Sequence, residues 1–183
     1  MNSMIDYIGS MITGGTVFIV MLSYYFNIST TAVSQVFSAT TQEDMTSISE
    51  ILEYDFRKAG YGVTDSVVFT IADSNRVAIR GDFDDNGVID TVQYWLSTTQ
   101  MPESSNPQAR ILYRRSNGST VRLTPNAITL FGLTYYDPSG AITTDPEQIR
   151  SVRISLNMEC KLSYDTQPAG EYWERVIKPQ NLR

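Results

Sequence analysis

The amino-acid sequence predicts an α+β protein in which one long N-terminal helix packs on an antiparallel β-sheet. Two patterns lead to this fold class. An uncharged apolar stretch passes into residues whose hydrophobic positions recur every three or four places, which is typical of a helix. After Gly60, hydrophobic and polar residues alternate in short runs, which is typical of strands. Behind the helix, the 183-residue chain has room for one domain of ordinary size.

The first half of the predicted helix, residues 1–27, is apolar and carries one charged side chain, Asp6. Residues 8–26 are long enough to cross about 30 Å of hydrocarbon as a helix. Asp6 precedes this stretch, but no Lys or Arg does, and no small-x-small cleavage site follows it. The segment therefore differs from a cleavable secretory signal. Gly14, Gly15 and other small residues favour close contact between helices. We therefore interpret residues 1–27 as a transmembrane segment that leaves lipid to pack against copies of itself, with a simple anchor as the alternative.

The second half of the helix, residues 28–59, is apolar on one side only. Its hydrophobic positions are Val33, Val36, Phe37, Met45, Ile48, Ile51, Leu52, Phe56 and Ala59. Polar side chains, among them Asp55, are expected on the opposite face. Gly60 is expected to end the helix, with Arg57 and Lys58 in the last turn, where cations suit the helix dipole. The pattern thus predicts a helix over residues 3–59, most easily interrupted at the two adjacent glycines.

The sequence pattern of residues 60–183 predicts a β-rich globular domain. The runs that predict strands are 67–72, 76–81, 89–96, 111–115, 120–123, 128–136, 152–158 and 173–177. Turn-forming residues separate the runs, and the Asn-Gly pair in "RILYRRSNGSTVRLT" predicts a hairpin tip. Residues 97–109 are polar and contain two prolines, so they predict a surface loop. The tail from residue 163 is expected to hold at most one short strand.

Composition excludes several classes of function. The chain has no histidine, which removes histidine-based triads and histidine-ligated zinc, and its one cysteine, Cys160, cannot form an intrachain disulfide. The net charge of −6 argues against a nucleic-acid partner. The two basic pairs, Arg57–Lys58 and Arg114–Arg115, are expected to be solvated surface. Because the sequence contains no nucleophile–base pair and no phosphate-binding loop, we do not expect an enzyme.

The segment "GDFDDNGVID" contains a candidate calcium site. Its possible ligands occupy positions 1, 3, 5, 7 and 9 of a calcium-binding loop, and they are Asp82, Asp84, Asn86, Val88 (through its carbonyl) and Asp90. Gly87 stands at position 6, where such loops turn sharply. Position 12 is Gln93 instead of a bidentate glutamate, so the match is partial. An ordinary hairpin with Asp-Asn-Gly at its tip is the alternative.

Several motifs in order resemble those of the type IV pilin superfamily. The apolar start with its nearby acid passes into "YDFRKAGYG", and the acidic loop into a tyrosine-containing strand, "GDFDDNGVIDTVQYWL". The later segments "ILYRRSNG" and "ITLFGLTYYDPSG" make the likeness closest to the larger minor pilins and minor pseudopilins. The usual basic leader does not precede the apolar run. With Met1 taken as a one-residue leader, Asp6 occupies the fifth place, where the family has its assembly glutamate.

The resemblance implies a structural subunit of an extracellular pilus-like filament or secretion pseudopilus. The implied partners are copies of this chain or other pilin-like subunits, which bundle through their N-terminal helices. Asp6, Gly14 and Gly15 are the residues we expect to act in assembly. The implied location is the cell surface, with inner-membrane anchoring before assembly. The alternative is a membrane-anchored extracytoplasmic binding domain that does not polymerise.

Overall fold

The computed structural model describes residues 2–64, 67–160 and 170–182, with the side chain of Asn2 excepted. The chain divides into two compact units, Met1–Phe37 and Ser38–Arg183. The described residues form one helix and eight strands, and the strands build two antiparallel sheets of five and three strands. The α+β class and the antiparallel pairing predicted from the sequence are therefore confirmed.

Helix α1 extends over Asn2–Lys58 without a break. Gly14 and Gly15, where the sequence favoured an interruption, lie within the continuous helix. The helix ends one residue earlier than predicted. Gly60 follows in the left-handed conformation (φ 80°) that makes glycine the common residue after a helix, and its amide donates to the Arg80 carbonyl at 2.9 Å.

The five-stranded sheet has the order β1-β2-β3-β4-β5, so each strand pairs with its neighbour in sequence. Its strands are β1 (Phe69–Ala72), β2 (Arg76–Gly81), β3 (Asp90–Leu96), β4 (Leu112–Ser116) and β5 (Ser119–Arg122). All five lie within two residues of the predicted boundaries. The expected hairpin joins β4 to β5, and Asn117 and Gly118 at its tip both adopt positive φ, as a two-residue turn of this kind requires.

The three-stranded sheet has the order β6-β7-β8 and consists of β6 (Ala127–Tyr136), β7 (Ser151–Glu159) and β8 (Gly170–Ile177). Along β7, half-buried and buried residues alternate strictly. Strand β8 is longer than the run 173–177 that predicted it, because its pairing with β7 continues back to Gly170. The part of the predicted tail between residues 163 and 169 lies outside the described residues.

One hydrophobic core unites the second half of α1 with both sheets. Five of the nine predicted helix positions are buried: Met45, Ile48, Leu52, Phe56 and Ala59. Val36 and Ile51 remain exposed, at 62% and 37%. The core residues from the strands include Val77, Ile79, Val92, Tyr94, Leu112, Phe131, Ile154 and Leu156.

The stretch 97–109 contains no strand, as predicted, but it is not wholly a surface loop. Met101 and Ala109 are fully buried and form a small second cluster with Ala127. The Met101 amide donates to the Ala109 carbonyl at 2.9 Å, which closes the segment on itself. Two apolar residues among polar neighbours thus hold the loop to the start of β6.

Candidate functional site

The acidic loop connects β2 to β3 and is closed at its base by the pair Gly81 and Asp90. Asp82 and Asp90 are 6% exposed, whereas Asp84 and Val88 are exposed. The pairing of the two strands therefore brings the first and last candidate ligands together, eight residues apart in sequence. This is the arrangement that the loop motif predicts for positions 1 and 9.

Hydrogen bonds inside the loop hold its carboxylates in place. The two oxygens of Asp82 accept from the amides of Asn86 at 3.1 Å and Gly87 at 2.9 Å. Asp85 and Gly87 have φ of 59° and 81°. A Cβ added at Gly87 would meet no atom within 4 Å, so it is the left-handed backbone and not a lack of space that favours glycine here.

Three carboxylates in this loop can hold a metal ion. Asp82, Asp84 and Asp90 each place an oxygen within 4.8 Å of the others. No Lys or Arg of the described residues forms an ion pair with any of the three, so a bound cation would relieve the repulsion between them. An all-oxygen set of donors suits a hard cation.

Asn86, the candidate ligand at position 5 of the loop motif, already makes hydrogen bonds within the loop. Its side-chain oxygen accepts from the Val88 amide at 2.7 Å, and its side-chain nitrogen donates to Asp84 at 2.9 Å. The oxygen keeps a second lone pair with which it could bind a cation. The Asn86 nitrogen, in contrast, competes with a cation for the Asp84 carboxylate. Asn86 is therefore a weaker candidate than the three aspartates.

The end of helix α1 supports the acidic loop. The Lys58 ammonium donates to the Phe83 carbonyl at 3.0 Å and to Asp85 at 2.7 Å, and the Tyr54 hydroxyl donates to the same carbonyl at 3.0 Å. The hydrogen bond to Asp85 raises the pKa of Lys58 above its usual value. A Cβ added at Gly81 would lie 2.8 Å from the Lys58 carbonyl. Glycine thus permits the close approach that places the loop against the helix end.

The first half of α1 presents an apolar surface on all sides. Residues 3–32 are exposed, and an 18-residue window of the helix has a mean hydropathy of 1.6 with none of it buried. Hydroxyl groups within this stretch donate back to the helix backbone, as Thr16 does to the Ile12 carbonyl at 3.0 Å, so they add little polarity. By length and composition, this helix could cross a membrane, which suggests a membrane anchor or a signal segment.

The three predicted assembly residues lie in this apolar half. Asp6 is exposed and forms no ion pair with a basic side chain of the described residues. A Cβ added at Gly14 or Gly15 would meet nothing within 4 Å outside the backbone of the helix itself. Neither glycine is therefore required by packing within the described part of the chain.

A buried ionic cluster joins α1 to the five-stranded sheet, and it corrects two expectations. Asp55, expected on the polar face of the helix, is 1% exposed. Arg114, expected as solvated surface, has a 23% exposed side chain and donates to the two Asp55 oxygens at 2.7 and 3.2 Å. The Tyr94 hydroxyl also donates to Asp55. Burial, with the adjacent carboxylate, raises the pKa of Tyr94 well above its usual value.

Both corrections have a signal in the sequence. Asp55 follows Leu52 by three residues and Ile48 by seven, so it lies on the apolar stripe of the helix. Arg114 follows Leu112 by two residues, so both side chains point to the inner face of the sheet. A charged residue at a core position predicts a partner of opposite charge, because an unpaired buried charge is costly.

Comparison of the chain with models of known protein families, with curated proteins and with solved structures finds no match. The architecture of the described residues is pilin-like, with a long apolar N-terminal helix whose second half packs on antiparallel sheet.

Proposed function

We propose that this protein is a structural subunit of a pilus-like filament or secretion pseudopilus. The observation that carries the proposal is the uniform exposure of residues 3–27, in the apolar half of α1, in a chain whose later residues form a folded β-domain. Single exposed hydrophobic residues are common, but an apolar surface on every side of a helix needs an apolar environment. A membrane provides one, and a bundle of such helices provides another.

In the proposed mechanism the apolar half-helix is first stored in the inner membrane. An assembly machine then transfers it into a bundle formed with the helices of other subunits, while the β-domains form the outer layer of the fibre. The motifs "YDFRKAGYG" and "ITLFGLTYYDPSG" support membership of the type IV pilin superfamily, closest to the minor pilins and pseudopilins. The pilin-like architecture supports the same assignment. The role is structural and calls for no catalytic group.

Asp6 has a distinct role under this proposal. At a membrane interface its carboxylate can remain among the headgroups, whereas a buried and unpaired charge in a helix bundle is strongly destabilising. The first basic side chain in the sequence is Arg57, and we propose that Asp6 instead pairs with an amino group of a neighbouring subunit. Because only one axial offset brings amine and carboxylate together, this pair would also set the register between subunits.

The test compares membrane insertion with filament yield for two variants. Asp6→Ala is expected to enter the membrane fraction at the level of the unaltered chain and to yield no sheared filaments. Asp6→Glu keeps the carboxylate and is expected to assemble. Normal filaments from Asp6→Ala would remove the register role. If the unaltered chain forms no filaments, the protein is better described as a membrane-anchored extracytoplasmic binding domain.

We also propose that the cation of the acidic loop is Ca²⁺. Three carboxylates, an amide oxygen and the Val88 carbonyl provide only oxygen donors, and Ca²⁺ accepts six to eight of these in irregular geometry. Mg²⁺ is a poorer candidate because it demands near-octahedral coordination and keeps its waters. The chain contains no intrachain disulfide. In place of a disulfide, a bound ion that links the end of β2 to the start of β3 would stabilise the domain.

A further inference from the structure

A second candidate site lies beside the end of helix α1, on residues to which the filament proposal gives no role. It is an open pocket of about 490 Å³ between the last turns of α1, the end of β8 and the residues that follow β8. We call it the anion pocket, and its charged residues are Arg57, Lys58, Arg175 and Lys178. A pocket of this volume is the size of those that bind small molecules.

The charge of the anion pocket is opposite to that of the chain. Four of the fourteen Lys and Arg residues line it, although the net charge is −6, and none of its described lining residues is Asp or Glu. Arg57 and Lys58 come from the helix, whereas Arg175 and Lys178 come from β8 and the tail. The helix dipole accounts for cations at the end of α1, but it does not account for those that another element brings to the same place.

Nearby carboxylates neutralise this charge only in part. Glu53, outside the pocket, binds Arg57 at 3.2 Å and also binds Arg175. Lys58 binds Asp85 at 2.7 Å. Lys178 has no ion-pair partner among the described residues. Among the described residues, two carboxylates therefore oppose four cations, which leaves the pocket a surplus of two positive charges.

Three of the four cations in the pocket, Arg57, Lys58 and Arg175, are held in place before any ligand binds. Lys58 lies 5.3 Å from the centre of the Tyr54 ring and 5.6 Å from that of Tyr61, so both rings contact its ammonium. The shared Glu53 carboxylate restrains Arg57 and Arg175 together. Guanidinium groups donate paired hydrogen bonds to phosphate and carboxylate oxygens. Because these three donors are already oriented, their binding to a ligand loses little side-chain entropy.

We propose that the anion pocket binds a small oxyanion with at least two negative charges, such as a phosphorylated or polycarboxylated metabolite. Arg175 and Lys178 make the principal contacts: the Arg175 guanidinium keeps further N–H donors beside its bond to Glu53, whereas the Lys58 ammonium already donates to two oxygens of the acidic loop. The negative charge of the ligand balances the positive charge that Glu53 and Asp85 leave unmatched. This inference does not depend on filament assembly, because the pocket lies wholly within the Ser38–Arg183 unit.

The test is isothermal titration calorimetry on the full chain in non-ionic detergent and calcium-free buffer, with inorganic pyrophosphate as the probe. We expect one pyrophosphate per chain, with an affinity that falls as salt is added. Arg175→Gln and Lys178→Gln should each raise Kd by about tenfold or more, the usual effect of losing a hydrogen bond between charged groups. Acetate, with a single charge, should bind at least about tenfold more weakly than pyrophosphate.

Arg115→Gln is the matched control, because Arg115 is exposed on β4 and lies outside the anion pocket. It removes the same charge and should leave Kd unchanged. Lys178 forms no ion pair with the described part of the chain, so Lys178→Gln should keep the thermal unfolding curve of the unaltered chain. No pyrophosphate heat at millimolar concentration would overturn the proposal. Equal weakening by Arg115→Gln would also overturn it, because only the overall charge would then matter.

Discussion

Asp55 is a carboxylate at a core position of the helix, and its partners decide whether the fold tolerates it. At 1% exposure it has lost nearly all contact with water. Arg114 provides the opposite charge and two hydrogen bonds, and Tyr94 provides a third. A buried pair of this kind adds little net stability compared with hydrophobic residues, but removal of one partner leaves a charge without compensation. The cluster therefore matters most for the alignment of α1 with β3 and β4.

Arg114→Met tests this interpretation. The variant keeps an apolar stem of similar length but leaves Asp55 unpaired, so the free energy of unfolding should fall by about 3–5 kcal/mol. Chemical denaturation of the full chain in detergent, followed by circular dichroism, measures the change. Arg115→Met is the control, because that side chain is exposed one residue further along the strand, and it should cost less than about 0.5 kcal/mol. Similar losses from the two variants would contradict a special role for Arg114.

Asp84 tests the proposed calcium site. We expect Ca²⁺ to raise the melting temperature of the protein, since an ion that binds only the folded chain stabilises it, by about 2.7 kcal/mol at one hundred times Kd. Asp84→Ala should abolish this increase because it removes one of the three converging carboxylates. Glu43→Ala removes an exposed carboxylate outside the loop and should keep the increase. Calorimetry that detects no binding at millimolar Ca²⁺ would leave an ordinary hairpin.

At the scale of elements, the two halves of α1 have different environments. Residues 3–32 are exposed, whereas Met45, Ile48, Leu52 and Phe56 are buried in the core of the β-domain. The apolar surface of the first half therefore contributes nothing to that core. Of the helix residues, only those in the second half thus belong to the described hydrophobic core.

Deletion of residues 1–27 tests this difference between the two halves of the helix. The truncated chain should be soluble, monomeric and folded, because the buried helix positions begin at Thr41 and Met45, beyond the cut. The full chain should need detergent or form fibres. Gel filtration and circular dichroism measure both properties. Filaments formed by the truncated chain would disprove a helical filament core, and a truncated chain without β-structure would show that the first half-helix is needed for folding.

At the scale of the whole molecule, Gly14 provides a test of the proposed assembly. The space around it is empty within the described chain, so a larger side chain meets no obstacle before assembly. Gly14→Leu should also favour the helix itself, since glycine costs roughly 1 kcal/mol relative to the best helix formers. If neighbouring helices approach closely at this point, as the proposed bundle requires, the leucine prevents their contact.

We therefore expect Gly14→Leu to enter the membrane normally and to reduce sheared filaments strongly. Val20→Leu adds one carbon to a residue that is already large and should leave filament yield unchanged. Electron microscopy and immunoblots of sheared fractions give the comparison. Normal filament yield from Gly14→Leu would show that helices do not meet at this glycine.

The sequence by itself determined the fold class, the helix and most strand boundaries. These features depend on local patterns: the spacing of apolar residues, the glycine after the helix and the Asn-Gly turn. The order and spacing of Asp82, Asp84 and Asp90 likewise predicted a loop that can hold a cation. What a single segment specifies through its own periodicity can be read without knowledge of the rest of the chain.

Only the tertiary structure decided which segments meet. It divided the strands between two sheets, buried Asp55 against Arg114, and brought Arg57 and Lys58 beside Arg175 and Lys178. These pairs of segments are 59 or more residues apart in sequence. Contacts over such distances depend on how whole elements pack and pair, and the charge pattern of either segment alone does not specify its partner. A chain with a negative net charge can therefore hold a basic pocket that its composition does not predict.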